Sequence, residues 1–181
     1  GVQKYMIIDG QQRMTTLTLL LLALRDYAIK NSSDTTINSR RINNMLLKNE
    51  YESGDERYKL LLTETDRDIL ISLVEEKPIA EDAHSRLIEN YRFFADKLAD
   101  NEIKPAEVYE SIGKLQIVNI TLDRAVDDAQ AIFESLNSTG KELSESDLIR
   151  NYVLMGLEPS EQTYVYEHLW RPMEQLFVYE T

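Results

Sequence analysis

The chain carries a short polar run, Asp9-Gly10-Gln11-Gln12-Arg13, between an apolar stretch and a leucine-rich one. The apolar stretch 5–8 predicts a buried strand, and the leucines after the run recur at helical spacing. Backbone N–H groups at the start of a helix are unpaired and lie at the positive end of the helix dipole, so they favour an anion. Arg13 adds a permanent charge and a fork of donors that matches phosphate, while Asp9 is placed to hold a metal ion or to orient a water molecule. The run therefore predicts a site for a phosphorylated ligand.

A second interpretation of the same run stays open on sequence alone. Asp-Gly is a frequent turn pair, and Gln and Arg are good helix formers on a solvated face. The run is not a P-loop, because no G-x-x-x-x-G-K-[ST] pattern occurs anywhere in the chain.

A second polar cluster lies between residues 133 and 151. Asn137-Ser138-Thr139-Gly140 is typical of a helix end, since Asn and Gly both tolerate the left-handed conformation. Ser144, with Asp147 in the first turn, predicts the cap of the next helix. We favour this structural interpretation. In the alternative, functional interpretation, the cluster and Arg150 form a second polar side of the site built by the first motif.

Composition narrows the function classes. The 181 residues carry 20 Lys and Arg against 32 Asp and Glu, a net charge of −12, so broad DNA binding is expected to be weak or absent.

There is no Cys, and the two histidines, His84 and His168, have no second ligand at metal spacing, so neither zinc nor haem is expected. The absence of Cys fits a reducing compartment, so a cytoplasmic location is expected. The apolar run 17–24 ends at Arg25 and is too short to span a membrane. Because the chain starts at Gly1 and enters an apolar stretch almost at once, we expect it to be a piece of a longer protein.

Hydrophobic periodicity predicts an α/β (α+β) fold with few strands and many helices. The chain is expected to form a single domain over 1–181, with strands near 4–8 and 115–122, a helical insertion over 38–113 and C-terminal helices over 144–180. A further short strand is expected at 57–63. Helices are predicted at 12–30, 39–49, 66–75, 81–100, 105–113, 127–136, from 144 onward and after 159.

Together the two clusters resemble the signature motifs of one protein family. Ile-Ile-Asp-Gly-Gln-Gln-Arg-Met-Thr-Thr-Leu at 7–17 and the segment 132–152 are similar to the ParB-like N-terminal domain of GmrSD-type, modification-dependent restriction endonucleases. The intervening Tyr58-Lys59-Leu60 and the helix with Asn90-Tyr91 are also similar. The resemblance implies a ParB/sulfiredoxin-like small sheet core, truncated at its N-terminus, with a dominant helical portion.

The resemblance also implies an activity, nucleotide binding and hydrolysis in defence against phage DNA. Asp9, Gln11, Gln12 and Arg13 are the implied catalytic residues, with a nucleoside triphosphate and Mg²⁺ as the implied ligands and Asp9 as the implied magnesium ligand. The implied nucleotide contacts are Gly10, Arg13, Thr15, Thr16, Asn137, Gly140 and Arg150.

Further expectations concern partners. The family often carries a His-Asn-His nuclease module, which this sequence lacks, so a nuclease is expected elsewhere in the same chain or in a partner subunit. The alternative function is a non-catalytic ParB-like scaffold or protein-interaction module. No membrane partner is expected.

Overall fold

The computed structural model describes residues 2–5, 7, 9–32, 36–62, 64–79, 85–100, 103–121, 149, 152–153, 157, 161 and 164–177. The chain divides into two compact units, Gly1–Val118 and Asn119–Thr181. The first unit holds the polar run at 9–13 and most of the described helices, so it positions the candidate site.

The described part of the first unit is built from α-helices joined by short irregular segments. Helix α2 continues directly into a π-helical segment, Ile42–Leu47, and a 3₁₀ turn spans Gly54–Arg57. The α-helices are α1 Gln11–Lys30, α2 Ser39–Arg41, α3 Glu64–Val74, α4 Arg86–Ala99 and α5 Pro105–Ile112. These bounds confirm the helices predicted at 12–30, 39–49, 66–75 and 105–113, and the described part of the one predicted at 81–100.

Helix α1 organises this unit because its second half is apolar on the face that packs inward. It packs against α4, against α2 and against the π-helical segment, while α3 packs on α4. Removing these side chains from water supplies the main stabilising term. The core side chains are Leu19, Leu22, Ala23, Leu24, Ala28, Ile37, Ile42, Leu47, Leu70, Leu73, Val74, Leu87 and Leu98.

One charged side chain, Arg25 of α1, is buried within this core and is only 1% exposed. Its guanidinium donates to the carbonyl oxygens of Leu73 and Val74, each at 2.9 Å, and to the carboxylate of Asp26 at 2.7 Å. Those carbonyls belong to the last turn of α3, where helix oxygens lack intrahelical donors and the dipole is negative. Arg25 therefore caps α3 from inside the core.

The chain after α3 leaves the helix through a left-handed residue, Glu76, with φ 55°. The Lys77 N–H bonds the Ser72 carbonyl and the Glu76 N–H bonds the Leu73 carbonyl, which together form a Schellman motif. This turn directs residues 76–79 alongside the end of α1.

Ahead of that turn, Glu75 fastens the loop between residues 48 and 58 to the end of α3. Its carboxylate accepts from Lys48 Nζ at 2.8 Å and from Arg57 Nε at 3.0 Å. Burial raises the pKa of Glu75, but the hydrogen bonds from Arg57 and Lys48 outweigh it and hold the pKa at about 2. The loop itself is closed by an isolated antiparallel bridge between Lys48 and Tyr58.

The predicted small sheet core is wrong for the part of the chain that the structure describes. Residues 2–5 and 7 and residues 115–121 have irregular backbone, and no strand ladder occurs among the described residues. The predicted strand at 57–63 is likewise replaced by the end of the 3₁₀ turn and the single bridge at Tyr58. The fold of the described residues is therefore helical rather than α/β.

The physical reason is that a strand needs a paired neighbour. The β-branched pattern at 115–122 reflects intrinsic preference, which is weak and depends on context. Ile117 and Val118 are 70% and 85% exposed, so the segment gains no burial to hold an extended ladder. A lone extended segment hydrogen-bonds to water instead.

In the second unit, the described residues include a π-helical segment, Tyr166–Trp170, which continues into helix α6, Arg171–Phe177. Trp170 is buried, and the Tyr164 ring stacks on His168 with centroids 4.5 Å apart. These elements confirm helical structure after Pro159 in the described residues. The helix predicted at 127–136 and most of the one from 144 onward lie outside the described residues.

None of the described helices combines the length and the apolar character that crossing a membrane requires.

Candidate functional site

The polar run forms a sharp turn that opens α1. Gly10 has φ 86° and ψ 10°, the left-handed conformation that glycine adopts without strain, and it occupies the N-cap position. The Met14 N–H bonds the Gly10 carbonyl at 2.9 Å and so begins the helical ladder. No described side chain caps this helix start, and the first turn contains no acidic residue. The N–H groups of the first turn therefore retain the capacity to bind an anion.

Arg13 folds back over this turn and pairs with Asp9. Its terminal nitrogen lies 2.8 Å from the Asp9 carboxylate oxygen, although the Arg13 side chain is 75% exposed. The guanidinium also covers Gly10, because a Cβ built there would lie 3.5 Å from the nearest guanidinium nitrogen. The structure thus places a positive fork beside the open helix start, on an exposed surface.

Some polar side chains at the start of α1 are engaged in hydrogen bonds within the protein, and others are not. Gln11 donates to the Ile7 carbonyl at 2.7 Å and so ties the preceding segment to the helix. Thr15 donates to the Gln11 carbonyl at 2.9 Å, within its own helix. Gln12 and Thr16 are exposed and make no hydrogen bond with their side chains within the described residues. Gln12 is therefore better placed than Gln11 to meet a ligand.

A magnesium ion at this turn would have Asp9 as its protein ligand. Within the described residues, no three His, Cys, Asp or Glu side chains gather around a possible metal position. Mg²⁺ is often held by one or two carboxylates together with phosphate oxygens and water, so a single Asp fits as part of a phosphate-bound ion. The Asp9 carboxylate is presently paired with Arg13, and that pair must open before Asp9 can hold a cation.

The second predicted cluster cannot be placed beside the first, because Asn137, Gly140 and Arg150 lie outside the described residues. The proposed meeting of the two clusters in one pocket therefore stays a prediction.

Sequence reasoning missed a polar network at the edge of the core, formed by Arg25, Asp26 and Tyr91. Tyr91 of α4 donates to Asp26 at 2.6 Å, and Asp26 also accepts from Arg25. The helical spacing of the leucines in α1 could have revealed this network. It places Arg25 on the same buried face of the helix as those leucines. Hydropathy alone marks Arg25 only as the end of the apolar run.

The comparisons with known proteins agree with the resemblance seen in the motifs. The family model for the N-terminal domain of the GmrSD restriction endonuclease matches residues 1–154, which include the whole polar run and the second cluster. The match covers most of the chain, so the protein belongs to the class of restriction-system domains. It is a member of the GmrSD restriction endonuclease N-terminal domain family. Neither the curated proteins nor the solved structures gave a match to this chain.

Proposed function

We propose that the turn at Asp9-Gly10 and the first turn of α1 bind and hydrolyse a nucleoside triphosphate in a cytoplasmic, modification-dependent restriction system. Membership of the GmrSD N-terminal domain family supports the restriction role. The observation that carries the nucleotide proposal is the position of Arg13, an exposed guanidinium that covers a glycine turn at an uncapped helix start. Positive dipole, free N–H groups and a fork of donors are the features that recognise phosphate.

Each residue then has a role that follows from its contacts. Arg13 exchanges the Asp9 carboxylate for a phosphate oxygen and offsets the negative charge that develops during transfer. Gln12, whose amide is exposed and makes no hydrogen bond within the described part of the chain, orients the attacking water. Gln11 holds the segment before the turn through Ile7, which makes it a positioning residue.

When Arg13 binds phosphate instead of Asp9, the Asp9 carboxylate becomes free to act in a second way. The free carboxylate is a ligand for Mg²⁺ or an acceptor for a water proton. Bound there with the phosphates, Mg²⁺ would supply positive charge against the phosphate oxygens.

The proposed division of labour leaves cutting of DNA to a nuclease module in the same chain or in a partner subunit. The net charge of −12 supports this division, because a strongly acidic surface repels the phosphate backbone.

The test is nucleotide binding with Mg²⁺ by wild type, Arg13→Ala and the control Arg40→Ala. Arg40 is also an exposed arginine, on α2, outside the turn. A charge-assisted hydrogen bond is worth about 1.5–3 kcal/mol, so Arg13→Ala should weaken binding by about tenfold or more, whereas Arg40→Ala should bind like wild type. The proposal fails if wild type binds no nucleoside triphosphate or if the two arginine variants bind alike.

The second candidate is a non-catalytic interaction module. It is favoured by the exposed apolar side chains between residues 115 and 120, among them Ile117 and Val118. Under this candidate, nucleotide and Arg13→Ala have no effect, and Ile117→Ser weakens association with the rest of the restriction system. The same binding titration with Arg13→Ala therefore discriminates the two functions.

A further inference from the structure

A groove of about 400 Å³ lies between the second half of α1, the segment after α3 and α4. Its floor is apolar, with Leu73 and Ile88 buried and Ile29 of α1 partly exposed along one wall. The ring of Tyr91 contributes an aromatic surface. This combination offers contact area to an apolar or aromatic body rather than to an inorganic ion alone.

The edge of the groove is positively charged. Lys30, Lys77 and Arg92 line it, are exposed, and form no ion pair within the part of the chain that the structure describes. Glu76 is the exposed acidic residue of the lining. Residues 1–118 contain 16 Lys and Arg against 20 Asp and Glu, so a positive lining departs from the composition of the unit around it.

The two remaining charged groups of the lining are already engaged with each other. Arg25 pairs with Asp26, and Tyr91 donates its hydroxyl to the other carboxylate oxygen. The negative charge of Asp26 is therefore offset, and the Tyr91 ring is held in place by its hydrogen bond. The groove keeps three cations for a ligand and has a wall that is formed in advance, which lowers the entropy lost on binding.

We propose that this groove is a second ligand site, which binds an organic anion made of a phosphate monoester on an aromatic or apolar body. Lys30, Lys77 and Arg92 receive the phosphate, and the Tyr91 ring with Ile29 contacts the body. A volume of about 400 Å³ lies within the range of small-molecule sites. None of the residues from Asp9 to Arg13 lines the groove, so the site is separate from the proposed nucleotide turn.

The probe is 1-naphthyl phosphate, whose fluorescence reports binding to the 181-residue chain. We expect Lys30→Gln/Lys77→Gln/Arg92→Gln to weaken binding by about tenfold or more, because charge-assisted contacts are removed. The matched control is Arg40→Gln/Lys59→Gln/Lys114→Gln, which removes three exposed cations that do not line the groove and changes the net charge equally. Circular dichroism verifies that both triple variants keep the helical fold.

Three further measurements distinguish this groove from the nucleotide turn and from a site for phosphate alone. Arg13→Ala should bind the probe like wild type even if it no longer binds nucleotide. Failure of one proposal can therefore be distinguished from failure of the other. Ile29→Ser should bind the probe more weakly than wild type, and inorganic phosphate should compete poorly for the site. Equal losses in the two triple variants, an unchanged affinity in the groove triple variant, or full displacement by inorganic phosphate at equal concentration would each overturn the proposal.

Discussion

The hydroxyl of Tyr91 donates a hydrogen bond of 2.6 Å to the carboxylate of Asp26 and so joins α4 to α1. The other Asp26 oxygen accepts from Arg25, whose remaining donors cap the last turn of α3. Burial, followed by the hydrogen bond to Asp26, raises the pKa of Tyr91. Three helices of the first unit thus share one polar network, in which Arg25 is buried while Asp26 and Tyr91 are partly exposed.

Tyr91→Phe should destabilise the fold by about 1.5–3 kcal/mol, since it removes a hydrogen bond to a charged group. Urea unfolding measures the change, and Tyr51→Phe is the control because Tyr51 is 95% exposed.

The raised pKa of Tyr91 makes the contribution of this hydroxyl to stability depend on pH. Full stabilisation by the protonated hydroxyl is present below about pH 10, the ordinary tyrosine value, and is lost as the pH rises towards the folded-state pKa. A Tyr91→Phe stability equal to that of wild type at neutral pH would contradict this role.

Arg25→Leu should be much more damaging, with a loss of about 3–5 kcal/mol. The substitution leaves the Asp26 charge without its guanidinium and removes the donors to the Leu73 and Val74 carbonyls. Arg25→Lys keeps a charge but not the fork, so its stability should lie between those of wild type and Arg25→Leu. Urea denaturation of both variants, with Arg40→Leu as an exposed control, checks the order. An Arg25→Leu protein as stable as the control would show that the cap contributes little.

Glu75→Gln should lower stability at neutral pH by about 1–2 kcal/mol, allowing for solvent screening of the partly exposed partner Arg57. The pKa of Glu75 is about 2 in the folded chain, below its ordinary value. A depressed pKa stabilises the fold above the unfolded value of about 4.3 and loses that contribution as the pH falls towards 2. The difference between wild type and Glu75→Gln, measured by denaturation from pH 7 down to about pH 3, should therefore shrink below about pH 4.5. A gap that does not change across this range would contradict the assignment, and Glu50→Gln serves as the exposed control.

Most helices of the described chain could be predicted from the sequence because their signals are local. Leucines at helical spacing defined α1, and Pro105 marked the first turn of α5. The strands at 5–8 and 115–122 were wrong for the described residues, because a strand also depends on a partner that local pattern does not reveal. The Schellman turn was missed because Glu76, not glycine, occupies the left-handed position.

The geometry of the turn from Asp9 to Arg13 could be predicted from the sequence because it is local, whereas arrangements that depend on distant contacts could not. The four-residue spacing of Asp9 and Arg13 places both side chains at one turn, and the structure pairs them at 2.8 Å. The groove between α1 and α4 joins Lys30 to Lys77 and Arg92, which are far apart along the chain. No short motif predicts such a groove, because it forms only when the helices pack.

The last prediction compares two glycines that share a left-handed backbone, Gly10 with φ 86° and Gly54 with φ 57°. Replacing either by Ala should cost about 1 kcal/mol of stability, because a Cβ disfavours this conformation. A Cβ at Gly54 would meet nothing within 4 Å, and at Gly10 it would lie in ordinary contact with the Arg13 guanidinium, so the strain at both positions comes from the backbone. Asp9 and Arg13 are paired across the turn at residue 10, so relaxation of that backbone should displace them from the helix start. We expect Gly10→Ala, but not Gly54→Ala, to weaken nucleoside triphosphate binding in a titration with Mg²⁺. Equal affinities in the two variants would mean that the Gly10 turn is an ordinary helix start and not a phosphate site.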